Sequence, residues 1–143
     1  MNQPTPPNFG NQDSRVSKAR KRILYIDDNQ DAAEMIPLLL APAGYEVTAV
    51  RSEQISVEIA TRGDFDLILL ENWLVERSGV DLCKAIRACN TDIPIVFFST
   101  AAYEKDIENG LAAGANAYLV KPDGLSTIVK TITHLIDNNP AMS

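Results

Sequence analysis

The chain is poor in the residues that carry most side-chain chemistry, with one histidine, one tryptophan and two cysteines in 143 positions. The lone His134 falls within the apolar repeat of the last expected helix and reads as a surface or packing residue, so no histidine is placed to act as acid or base. Cys83 and Cys89 lie six positions apart on one expected helix, about 240° around its axis, and cannot bridge to each other there. They read as ordinary reduced thiols, which fits a cytosol. Long apolar runs are also missing. The longest uninterrupted ones span a few residues, far below the roughly 20 needed to cross a bilayer, and no charged-then-apolar signal opens the chain. The expectation is one soluble, cytoplasmic domain with no membrane contact.

Positive charge is scarce outside one stretch. Arg15, Lys18, Arg20, Lys21 and Arg22 supply five of the 13 basic residues, and from Ile23 onward eight basic residues face 18 acids. A body carrying −10 repels a phosphate backbone, so no nucleic-acid binding is expected of the folded part. The basic arm reads as a solvated charge run leading into the first strand. Residues 1–14 carry three prolines and almost nothing apolar to bury, and are expected to be disordered.

What remains is a repeating pattern. Leu67 to Leu70 is a continuous apolar run bounded by Asp64, Asp66 and Glu71, as suits a strand buried on both faces of a parallel sheet. Ile23 to Ile26 makes a similar strand that ends on Asp27 and Asp28. From Asn29 the spacing predicts an amphipathic helix stopped by Gly44, with Pro37 kinking or breaking it. Tyr45 to Val50 reads as a strand, with Ser52 capping a helix to about Arg62. Gly79 precedes a helix with Val80, Leu82, Cys83 and Ile86 on its apolar face. Ile93 to Phe98 is a strand ending at Ser99, followed by a helix over roughly 103–113. Ala117 to Val120 is the last strand, closed by Lys121 and Pro122, and an amphipathic helix runs from Leu125 to Ile136.

Strand and helix alternate five times with short loops, which requires parallel strands and right-handed crossovers. The fold class is α/β, a doubly wound five-stranded parallel sheet. In such a sheet all carboxyl ends lie on one rim, where open α/β sheets place their ligands. That rim gathers Asp27, Asp28, Glu71, Ser99 and Lys121. Three carboxylates suit a hard divalent cation such as Mg²⁺, leaving the hydroxyl and the ammonium to hold an anion's oxygens, phosphate above all.

This set of residues resembles the receiver domain of two-component response regulators, over about Ile23 to Ile136. The likeness rests on paired acids after the first strand, an acid after the third with Gly79 eight later, Ser99 after the fourth, and Lys121-Pro122 after the fifth. It implies a flavodoxin-like strand order 2-1-3-4-5, with a tail over 1–21, a receiver-like domain over 22–138 and a second tail over 139–143. It further implies that Asp27, Asp28, Glu71 and the backbone carbonyl of Trp73 hold Mg²⁺, that residue 71 accepts a phosphoryl group, and that Ser99 and Lys121 bind its oxygens. The Lys121–Pro122 bond is expected to be cis, and Tyr118 to couple the hydroxyl residue to a partner face. The partners implied are a histidine kinase or a downstream signalling protein, with a homodimer also open.

The resemblance fails at the acceptor, which is aspartate in the family and glutamate here. One extra methylene carries the carboxylate about an ångström outward, a displacement that can cost on the order of a hundredfold where in-line positioning matters. Val75 stands where the family commonly has proline, and Asp123 where an aromatic is usual. The leading expectation is a stand-alone receiver-like module that acts by binding partners and is not phosphorylated in the usual way. Two alternatives stay open: a receiver phosphorylated on Glu71, and a small Mg²⁺-dependent phosphatase-like enzyme.

Overall fold

The computed structural model describes residues 20–139. Its five strands are β1 (Lys21–Ile26), β2 (Tyr45–Val50), β3 (Leu67–Leu70), β4 (Ile95–Ser99) and β5 (Ala117–Val120). Every pairing is parallel and the strands lie in the order β2-β1-β3-β4-β5. The expected doubly wound sheet and its order are thus found. The helices are α1 (Gln30–Leu40), α2 (Val57–Thr61), α3 (Gly79–Cys89), α4 (Glu104–Ala112) and α5 (Ile128–Asp137).

Alternation along the strands divides the core. Ile23, Tyr25, Leu67, Leu69, Val96 and Phe98 point to the face covered by α1 and α5, where Ile36, Leu40, Ile128 and Ile132 meet them. Leu24, Ile26, Ile68, Leu70, Ile95 and Phe97 point the other way, against Ala60 of α2 and Leu82, Cys83 and Ile86 of α3. β1, β3 and β4 are central and apolar on both sides, and each fully buried Leu, Ile or Phe contributes about 1.5–3 kcal/mol. Cys83 is buried and Cys89 exposed, both free.

Three local expectations need correction. Of the kink or break expected at Pro37, the break is not found: α1 runs through the proline for another turn and gives way to a 3₁₀ turn at Ala41–Ala43 before Gly44, at φ 96°. The apolar face carrying Ala32, Ile36 and Leu40 is continuous across the proline, and its packing outweighs the lost backbone donor. Ser52 does not cap a helix reaching Arg62; it opens a 3₁₀ turn (Ser52–Gln54), and the cap of the short α2 is Ser56, which accepts from the Ile59 N–H. The last helix starts at Ile128, since Asp123–Ser126 form another 3₁₀ turn.

The two expected tails fall almost wholly outside the described residues, apart from Arg20, Lys21 and Asn139. Lys21 already belongs to β1. Among the described residues no helix is long and apolar enough to cross a membrane.

Register carries this fold to its rim. Ile26 pairs with both Val50 and Leu70, Leu70 with Phe97, and Ser99 with Val120. Ladder bonds continue one step beyond the strands, from Asp27 N–H to Val50 C=O (3.0 Å), Glu71 N–H to Ile26 C=O (3.0 Å) and Lys121 N–H to Ser99 C=O (2.8 Å). The first polar residue after each of these strands is therefore fixed by the sheet itself.

Candidate functional site

Asp27, Glu71 and Ser99 are buried at the rim, and Lys121 reaches in over them with 15% of its side chain exposed. The Lys121 Nζ lies 2.7 Å from Asp27 Oδ2 and 3.1 Å from Glu71 Oε1, so one ammonium bridges two carboxylates. It also stands 5.2 Å from the centre of the Phe98 ring. The Lys121–Pro122 peptide is cis.

Glu71 folds back on its own loop. Its Oε2 accepts from the N–H groups of Asn72 (2.7 Å) and Trp73 (3.1 Å) and from the Ser99 hydroxyl. A carboxylate oxygen has about two lone pairs. Three donors on Oε2 and the ammonium at Oε1 thus occupy the group. Gly79 makes this loop geometry available: a Cβ there would stand 2.4 Å from the Glu71 carbonyl oxygen and 2.7 Å from the Asn72 Cα. The start of α3 packs directly against the end of β3, and the Gly79 N–H donates to the Asn72 carbonyl at 2.7 Å.

Asp27 is equally engaged. Its Oδ1 accepts from the Asn29 N–H (2.8 Å), and its Oδ2 accepts from the Tyr25 hydroxyl as well as from Lys121. Burial, then the hydrogen bond and charge of Asp27, push the Tyr25 phenol far above its ordinary value. It stays a neutral donor.

Asp28 belongs to a different set of contacts. Its Oδ1 accepts from the Ser52 N–H at 2.7 Å, its Oδ2 accepts from the Val75 N–H at 2.7 Å, and the Ser52 hydroxyl lies 2.8–3.0 Å from both oxygens. Burial opposes ionisation here, but the hydrogen bonds from Val75 and Ser52, with the charge of Arg51, outweigh it and hold the Asp28 carboxyl below its ordinary value.

A chain of hydrogen bonds leads away from Glu71. The Ser99 hydroxyl donates to Glu71 and accepts from the Ala101 N–H at 3.0 Å, and the Ala101 carbonyl accepts from the Tyr118 hydroxyl at 2.6 Å. Tyr118 stacks on Phe97, with ring centres 5.1 Å apart. Burial raises the Tyr118 phenol above its ordinary value. Trp73, two residues beyond Glu71, is 62% exposed, and Val75 is 80% exposed.

Residues 23–133 match the family described as Response regulator receiver domain. The chain belongs to that family. This receiver domain is 36% identical over 101 residues to the transcriptional regulatory protein DltR of Streptococcus agalactiae, a match covering 71% of the chain and 45% of DltR. It is 33% identical over 111 residues to the nisin biosynthesis regulatory protein NisR of Lactococcus lactis, covering 78% of the chain and 48% of NisR. The chain thus spans about half the length of the curated relatives it matches. Among solved structures, the receiver domain of the sensor histidine kinase PA1611 from Pseudomonas aeruginosa, which has a magnesium ion in its active-site cleft, is 31% identical with a TM-score of 0.75. That match covers 84% of this chain and all of that one. Receiver domains are signalling modules of two-component systems, and this chain shares their sheet order.

The rim of this receiver domain does not present the acids as a ligand set. Among the described residues no three His, Cys, Asp or Glu side chains converge to hold a metal ion. Asp27 and Glu71 share the Lys121 ammonium while Asp28 is bonded to Ser52 and Val75, so the expected grouping of Asp27, Asp28 and Glu71 is split in two. Four of these six carboxylate oxygens have two or more protein donors within reach, as many as their lone pairs hold, and only Asp27 Oδ1 and Glu71 Oε1 have a single one. Trp73 contributes its N–H to Glu71. His134 is exposed on α5 and bonded to Asn138, beside Asn116 and Ala117 at the opposite end of β5 from Lys121.

Sequence reasoning missed the Tyr25 hydroxyl on Asp27 and the bonds of Ser52 and Val75 to Asp28. Ser52 stands two positions after β2, on the same rim as the residues that were singled out. Its place at a strand's carboxyl end was a readable signal, obscured by the expectation of a helix cap. Val75 acts through its backbone, which no side-chain pattern reports.

Proposed function

We propose that this receiver domain signals by protein contact and does not pass a phosphoryl group through residue 71. What supports the reading is the state of Glu71. An acceptor carboxylate must offer a lone pair in line with the entering phosphorus, and both oxygens of Glu71 are engaged by Ser99, Asn72, Trp73 and Lys121. The two groups expected to hold phosphoryl oxygens, Ser99 and Lys121, are held by the glutamate itself. Glu71 brings one charge and two oxygens in place of a phosphoryl group's roughly −1.5 to −2 and three oxygens. It keeps Ser99, Ala101 and Tyr118 in a single hydrogen-bonded arrangement whether or not a kinase is active.

The partner is a histidine kinase or a downstream signalling protein, contacted at the face carrying Tyr118. The acid excess of the folded domain argues against a phosphate backbone as its direct partner. The domain acts as a binding module and not as an enzyme. The test is incubation with acetyl phosphate and Mg²⁺ followed by intact-mass spectrometry. The expected outcome is an unchanged mass; a stoichiometric phosphoryl adduct mapped to Glu71 overturns the reading. Alongside it, Glu71→Ala, which removes the acceptor of the Ser99 hydroxyl, is expected to shift the amide resonances of Ala101 and Tyr118.

A further inference from the structure

The two halves of the acidic rim are satisfied by different donors: Asn72 and Trp73 of the loop after β3 bond Glu71, while Val75 further along that loop and Ser52 beyond β2 bond Asp28. Ser52 lies just beyond β2 and is buried, while Val75 lies in the loop after β3. Between them they place a hydroxyl and two backbone N–H groups on the two oxygens of Asp28. The Glu76 N–H adds a longer contact of 3.4 Å to the Ser52 oxygen, tying the same two loops once more. Any residue but proline supplies the N–H found at position 75.

We propose that Ser52 and the Val75 N–H form a clamp that withdraws Asp28 from cation binding, so that the rim excludes divalent cations and Lys121 serves as its permanent counter-cation. A divalent ion entering beside Asp27 and Glu71 has to displace the ammonium bridging them. It then finds the third carboxylate occupied by a serine and a backbone donor. Mg²⁺ gives up its water reluctantly and demands near-octahedral geometry, and each oxygen of Asp28 already faces two donors.

This inference concerns the cation and stands apart from the fate of Glu71. The experiment is a Mn²⁺ titration of the full chain followed by paramagnetic broadening of backbone amide resonances, with Mg²⁺ as competitor. The native chain is expected to keep the intensities of Asp27, Asp28, Glu71 and Ser99 through a molar excess of Mn²⁺. Saturable broadening centred on those amides and reversed by Mg²⁺ overturns the proposal.

Ser52→Ala combined with Val75→Pro removes the hydroxyl and one N–H, and is expected to raise the affinity for Mn²⁺ on the order of tenfold. No gain in a folded double variant overturns the clamp. If proline at 75 prevents folding, Ser52→Ala alone is read against the native chain, with a smaller gain in the same direction expected and no gain again overturning the clamp. Failure here is distinguishable from failure of the proposed function: cation binding without a phosphoryl adduct sinks only this inference, whereas an adduct on Glu71 in a chain that shows no cation-dependent broadening sinks only the other.

Discussion

Asp27 and Asp28 are adjacent in sequence and opposite in environment. Asp27 is buried, shares an ammonium with a second carboxylate and takes a hydroxyl from the core residue Tyr25. Asp28 is half-buried and accepts only from loop groups, with Arg51 as its distant charge. The sheet explains the difference. Asp27 is still bonded to β2 by the ladder, so its side chain is fixed over the core, while Asp28 is the first residue free of that constraint. A paired acid motif therefore need not be a paired site.

The comparison breaks most visibly at Lys121. Lys121→Met leaves Asp27 and Glu71 close together without their shared cation, and removing one partner of a buried charge pair costs about 3–5 kcal/mol. Urea unfolding is expected to show a loss near the lower figure, because part of the lysine is exposed. A loss too small to measure would mean that water already neutralises the pair.

A smaller effect is expected for Asp27→Ala, at about 1–3 kcal/mol, since it strands the buried Tyr25 hydroxyl without its acceptor. Adding Tyr25→Phe removes the stranded group and is expected to recover part of the loss. Strict additivity of the two substitutions, measured as a double-mutant cycle, would deny the coupling.

The smallest effect belongs to Asp28 and is a pH dependence. Its folded carboxyl titrates below its unfolded value, so its contribution to stability is fully present above the unfolded value and disappears as pH falls through the folded one. The melting-temperature gap between the native chain and Asp28→Ala is expected to be constant near neutrality and to narrow in acid. A gap that widens in acid would reverse the assignment.

Much of the fold was readable because the central strands are apolar on both faces and end on polar residues. Leu67 to Leu70 followed by Glu71 fixes a strand, its direction and a rim position at once. The rim of a parallel sheet then brings Asp27, Glu71, Ser99 and Lys121 together from widely separated places. What the sequence concealed depends on loop backbones. The reach of the Val75 N–H to Asp28, 47 positions away, follows from how two loops settle on the rim, and a valine side chain carries no sign of it. The short α2 was hidden for a related reason, since Ser52 and Ser56 are both credible caps and tertiary bonding to Asp28 decides between them. The helix that passes through Pro37 shows packing overriding a local preference.

The chain's single tryptophan lies in the loop on which Glu71 closes, with most of its indole in water and its backbone bonded to that acid. The domain consequently carries its own optical reporter at the mouth of the rim. Any protein that covers that mouth will move the emission to shorter wavelength, and binding to a remote face will leave the spectrum as it was, so the location of a partner is readable in an unlabelled sample.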